Sequence, residues 1–135
     1  MARGERGPAP TSAVPHGVNV SPDEATLSVS ESEGGVVYTF DVAADGSLSG
    51  QRVFASGLTS PDGLVIDSAG NVLVATWGST LEDFSPDGGS WGRISVPREA
   101  TNCGLVGEDG RTPRISAPGG TTRRRGGAPR GKGLA

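Results

Sequence analysis

Hydrophobic and polar positions alternate along most of the chain after its first fourteen residues, and the period is two rather than 3.6. The clearest stretch runs from Pro61 to Trp77: Leu64 and Ile66 alternate with their neighbours, Ser68 to Asn71 form a polar turn, and Val72 and Val74 repeat the alternation. That pattern predicts a strand, a turn and a second strand. In front of the first strand stands Asp62, between Pro61 and Gly63. Proline fixes its own φ and glycine tolerates geometry other residues resist, so the carboxylate is presented from a defined corner. Such an acid can be a metal ligand, a general base, or a turn residue bonded to its own backbone.

The same pattern occurs earlier. Pro15-His16-Gly17-Val18-Asn19-Val20 leads through Ser21-Pro22-Asp23-Glu24 to Leu27-Ser28-Val29-Ser30. Val18 and Val20 correspond to Leu64 and Ile66, and Leu27 and Val29 to Val72 and Val74. Each copy has a sequel of two more strands. After the first come Val36 to Val42, a turn at Ala44-Asp45-Gly46-Ser47, and Gln51 to Phe54; after the second come Leu81 to Phe84, a turn at Ser85 to Gly89, and Trp91 to Val96. A third copy opens at Ala100-Thr101-Asn102-Cys103-Gly104-Leu105-Val106 and turns at Glu108 to Arg111. A repeat of roughly 40–46 residues with four short strands predicts an all-β fold, a partial β-propeller. The chain holds about two blades and the start of a third, against the typical four to eight, so it is expected not to close a ring alone.

Composition agrees. With 23 glycines, 10 prolines and 33% hydrophobic residues in 135, the chain suits short strands joined by turns in one domain. No run of about 18 apolar residues is present, so no membrane span is expected, and the first twenty residues lack the apolar segment of a secretory signal. The single cysteine, Cys103, cannot form an internal disulfide, which fits a reducing compartment such as the cytoplasm. Charge divides the chain. Residues 1–110 hold all 15 acidic residues and five basic ones, a net of -10, whereas residues 111–135 carry seven basic residues and no acid. The expected organisation is a disordered segment over residues 1–14, the partial propeller over 15–117, and a basic Gly/Arg-rich tail over 118–135.

Four segments carry a family resemblance: Pro-x-Gly-Val-x-Val-Ser-Pro-Asp-Glu-x-Thr-Leu at 15–27, Phe-Asp-Val-x-x-Asp-Gly-Ser-Leu-Ser-Gly-x-Arg-Val-Phe-Ala at 40–55, Pro-Asp-Gly-Leu-x-x-Asp-x-x-Gly-Asn-x-x-Val-Ala-Thr-Trp-Gly at 61–78, and Ala-Thr-Asn-Cys-Gly at 100–104. In this order and spacing they resemble the second half of the SMP-30-type family of gluconolactonases, regucalcins and luciferin-regenerating enzymes. The resemblance implies a six-bladed propeller with one divalent metal, calcium or zinc, at the top of the central channel, and hydrolysis of sugar lactones. It also implies that Asp62 is a metal ligand and candidate acid/base, and that His16 stands where the family has a ligating asparagine. Asn102 and Cys103 fall near the channel top. The family's third ligand, a glutamate of the first blade, has no matching segment here.

Lactone hydrolysis needs a polarised carbonyl and an activated water, for which a divalent ion and a carboxylate suffice. An amide oxygen suits calcium and an imidazole suits zinc, so His16 either shifts the metal preference or marks a lost site. As the only histidine it could equally be an exposed turn residue. Cys103 reads as a small buried residue rather than a nucleophile, and Trp77 either borders the pocket or packs at a strand end. No Gly-x-Ser-x-Gly elbow, Walker loop or Cys-x-x-Cys is present. Asp41 to Arg52 resembles an EF-hand loop only superficially, because Arg52 stands where glutamate is required.

Past Thr112 the pattern falters. Pro113 should interrupt a central strand, and from Gly119 onward no strand character is expected. Lost periodicity and charge reversal together suggest a coding-frame disruption or degenerate end. Two functional readings follow: a truncated metal-dependent lactone hydrolase, weak or inactive alone, or a non-catalytic β-scaffold whose tail, Arg123 to Lys132, contacts a polyanion. The acidic body argues against nucleic acid. Self-association could supply the absent blades.

Overall fold

The computed structural model describes residues 15–118 and the backbone of residues 120–123. The segment expected to be disordered, residues 1–14, and residues 124–135 of the basic tail lie outside the described residues. Among the described residues, eleven strands form three antiparallel sheets, each following chain order. The first contains β1 (Pro15–Val20), β2 (Thr26–Glu31), β3 (Val36–Val42) and β4 (Leu48–Ala55). The second contains β5 (Pro61–Ile66), β6 (Val72–Thr76), β7 (Thr80–Phe84) and β8 (Ser90–Ser95), and the third β9 (Asn102–Val106), β10 (Thr112–Ala117) and β11 (Gly120–Arg123). These are the successive blades of a partial propeller, with β1, β5 and β9 innermost: β1 packs on β5 and β5 on β9.

The connecting turns explain why strands stop where they do. Asp67 accepts from the backbone N–H of Ala69 (3.0 Å) and Asn71 (2.8 Å), while Gly70 takes a φ of 87°. The carboxylate substitutes for strand hydrogen bonds and the glycine allows the reversal. Asp23, Asp45, Asp87 and Asp109 accept from nearby backbone N–H groups in the same way.

Packing is centred on the second sheet. All five residues of β6 are buried. Val72 and Val74 face the first sheet and cluster with Val37, Ala55, Leu64 and Phe84; Leu73 and Ala75 face the other way and cluster with Leu81, Val96, Ala100 and Ile115. Phe54 meets Phe84 edge to face, with ring centroids 5.9 Å apart. Each fully buried aliphatic side chain contributes about 1.5–3 kcal/mol, so β6 alone ties three sheets together. On the far face of the first sheet Val18 and Val53 remain 63% and 58% exposed.

The third sheet corrects two expectations. Pro113 does not interrupt pairing: it lies within β10, opposite Leu105, in a register running without a shift from Thr112↔Val106 to Ser116↔Asn102. The reason is local: among the described residues β11 pairs with β10 only from Arg114 onward, so the strand described beside Pro113 is β9 alone. A proline is tolerated in such edge backbone. Strand structure also continues past Gly119, because Gly120 to Arg123 form β11. An edge strand needs no apolar alternation, and Thr121 and Thr122 are β-branched.

Candidate active site at the innermost strands

His16 and Asp62 occupy equivalent corners of adjacent blades, and both sit in register irregularities. Pairing of β1 with β2 slips between Pro15 and Gly17, and pairing of β5 with β6 slips between Pro61 and Leu64. Such bulges re-aim a side chain that regular pleating would direct elsewhere. The result is a direct contact: His16 Nδ1 lies 3.4 Å from Asp62 Oδ1, with the imidazole 39% and the carboxylate 15% exposed. The other carboxylate oxygen, Oδ2, accepts a hydrogen bond from the Trp77 indole Nε1 at 3.0 Å. Trp77 reaches it from the end of β6, where its own N–H donates to Ser60 O at 3.3 Å.

The backbone around Asp62 is equally constrained. The Ser30 hydroxyl donates to the Asp62 carbonyl, and the Ser32 hydroxyl to that of Pro61 at 2.6 Å. Gly63 N–H donates to Thr101 O at 2.8 Å, fastening β5 to the start of the third blade. The glycines after His16 and Asp62 serve close approach. A Cβ on Gly17 would run into the Asp62 carbonyl oxygen, and one on Gly63 into the Asn102 side chain.

Of the residues the sequence singles out, the structure places His16 and Trp77 against Asp62, Trp77 by a hydrogen bond and His16 at ion-pair distance. Asn102 lies against Gly63, with its Oδ1 accepting from Cys103 N at 2.8 Å. Cys103 differs from the pocket expectation: its half-buried side chain packs into the core beside Leu73, with Sγ 3.6 Å from Leu73 O. Alternation explains this, since adjacent strand residues face opposite ways. Ser30 and Ser32 were not among the candidates. A polar residue at every second position of β2, with Ser28 and Ser30 nearly inaccessible, is the signal that could have found Ser30.

The donor set does not by itself fit a divalent ion. Among the described residues no three His, Cys, Asp or Glu side chains converge. Catalytic zinc usually takes three protein ligands, and calcium six or more oxygens. His16 and Asp62 offer two donor side chains, and Asp62 Oδ2 already accepts from the Trp77 indole. Elsewhere, Glu82 is buried but accepts from Thr80 Oγ1 at 2.6 Å and faces Arg93 Nε at 3.7 Å.

Comparison with known proteins gives a consistent picture. Residues 9–117 match the family model described as the SMP-30/Gluconolactonase/LRE-like region. An L-arabinolactonase of Azospirillum brasilense is 29% identical over 112 residues, covering 79% of this chain and 37% of the relative. A gluconolactonase structure from Xanthomonas campestris superposes with a TM-score of 0.71 at 30% identity, covering 79% of this chain and 36% of that one. The structure of a calcium-binding protein, regucalcin, from Agrobacterium tumefaciens gives a TM-score of 0.69 at 26% identity, covering 78% and 38%. The chain thus spans little more than a third of the length of these relatives.

Proposed function

Because the chain belongs to the SMP-30/gluconolactonase/LRE-like family, we propose that it carries the Asp62 side of a site that hydrolyses sugar lactones, with little turnover as a three-sheet unit alone. The observation that supports this most is the Asp62 carboxylate, held between His16 and Trp77 where the innermost strands begin. A carboxylate and a partly exposed imidazole side by side can bind, orient and deprotonate a water next to a lactone carbonyl. The names of the relatives, L-arabinolactonase and gluconolactonase, support lactones of simple sugars as the substrate class. A calcium or zinc ion, which would polarise the carbonyl, needs donors beyond those the described residues bring together at His16 and Asp62.

The exposed Val18 and Val53 mark a sheet face on which a further blade can pack. A second copy of the chain is the proposed source of such blades. The test is hydrolysis of glucono- and arabinolactone by the purified chain, followed by acid release, with and without calcium, zinc or manganese. Turnover lost in Asp62→Ala supports the proposal, turnover unchanged in Asp62→Ala removes it, and no turnover under any condition removes activity of this chain alone.

A further inference from the structure

We infer that the cleft between the first two sheets, at the end of the strands opposite Asp62, is a ligand site of its own, and that it takes an uncharged, hydroxyl-rich molecule the size of a single sugar ring. The cavity there has a volume of about 630 Å³, within the roughly 300–1,000 Å³ usual for small-molecule sites. Its walls are set by register. On the first sheet Ser28 pairs with Thr39 and Thr39 with Arg52, so the three residues form one row across β2, β3 and β4. On the second sheet Ile66 pairs with Val72, and both line the same cavity. One wall is polar and the other apolar.

The fold does not use the polar wall. Ser28 and Thr39 are 2% and 4% exposed, and both line the cavity. Among the described residues neither hydroxyl bonds to another protein group. Ser30 supplies the contrast. It lies two residues along the same face of β2, and its hydroxyl donates to the Asp62 carbonyl across the sheets. Where the sheets meet, the serine is satisfied by the neighbouring blade; where they part, Ser28 and Thr39 keep their hydrogen-bonding capacity for a molecule that enters. Buried hydroxyls left unpaired are costly, and a wholly apolar guest would leave both of them so.

Charge at the mouth selects against anions. Asp23 and Asp87 both belong to the lining. The one guanidinium there, that of Arg52, is held by Asp41 at 3.1 Å and by Gly50 O at 2.8 Å. An entering carboxylate or phosphate meets this negative charge, whereas a neutral ring does not. A sugar or cyclic polyol fits both walls, its hydroxyls toward Ser28 and Thr39 and its C–H face on Ile66 and Val72. Ile66 stands four residues beyond Asp62 on β5, about 13 Å along the strand. The cleft is therefore separate from the corner that holds His16, and it stands whether or not the chain hydrolyses lactones.

The test is a ¹H–¹⁵N NMR titration of the full chain, with methyl glucoside as the neutral probe and glucuronate as its anionic counterpart. Saturating shifts are expected at the amides of Ser28, Thr39 and Val72, with a midpoint of about 1–10 mM for the glucoside and weaker binding of glucuronate. Thr39→Val keeps the side chain's shape and removes its hydroxyl, and the midpoint should rise about 5- to 10-fold. Ser28→Ala is the second variant, with a change in the same direction. Shifts that do not saturate, that centre on Asp62 instead, or that are unchanged in both variants overturn the site. Glucuronate bound as tightly as the glucoside overturns its assignment to an uncharged ligand.

Discussion

The side chain of Asn102 occupies the space that a Cβ on residue 63 would need. This makes the glycine of Pro61-Asp62-Gly63 a spacing device between the second and third blades, in addition to being a neighbour of Asp62. Gly63→Ala is expected to force β5 and β9 apart and to lower stability by about 1–3 kcal/mol. Gly104 provides the contrast, since a Cβ there meets nothing within 4 Å. Urea denaturation of the two variants checks the difference, and equal midpoints for Gly63→Ala and Gly104→Ala would refute it.

Leu73 has no solvent-exposed surface and joins the cluster between the second and third sheets. Leu73→Ala should destabilise the fold by about 2–5 kcal/mol. Val18→Ala, at a residue 63% exposed, should change stability by no more than about 0.5 kcal/mol in the isolated chain. Thermal unfolding monitored by circular dichroism separates these outcomes.

Trp77→Phe keeps an aromatic ring at the strand end but removes the N–H that holds Asp62 Oδ2. A hydrogen bond to a charged group is worth about 1.5–3 kcal/mol, so kcat/KM for lactone hydrolysis should fall by about 10- to 100-fold. Trp77 is nearly half exposed, so the unfolding midpoint should move little. A parallel loss of stability and activity would instead assign Trp77 to packing.

Three turn carboxylates set an acid limit. The hydroxyls of Ser21, Ser47 and Ser85, followed by backbone N–H groups, hold Asp23, Asp45 and Asp87, respectively, below the ordinary value of 3.8. A carboxyl lowered in the folded state stabilises it at every pH above the unfolded value. That contribution fades as pH falls from about 4 through the lowered folded values. Replacing Ser21, Ser47 and Ser85 by alanine should raise the three carboxyl midpoints toward 3.8, as followed by NMR titration. Unchanged midpoints would show that the hydroxyls are not the cause.

Much of the fold is visible in the residue pattern, because strands of a blade must alternate to pack and turns must carry Asp and Gly to reverse. The third sheet is less visible. Pro113 is judged by whether it has a strand on both sides, and that depends on where β11 begins to pair, a property no local window contains. The site divides in the same way. Pro-x-Gly corners mark His16 and Asp62 as equivalent, but their contact arises only when two sheets pack. The Trp77 bond to Asp62 depends on the shift in register that leaves Asp62 bulged. Cys103 was legible as a small buried residue and not as a pocket residue, because its alternation places it opposite Asn102.

Burial of β6 on both faces also orders the molecule in time. Amides of an outer strand can open by losing one neighbour, but β6 is paired on both edges, with β5 and β7, and covered on both faces by the flanking sheets. Hydrogen exchange should therefore be slowest at Leu73 to Ala75 and progressively faster toward β1 and β11, so that the chain comes apart from its two ends while its middle sheet is the last to let go.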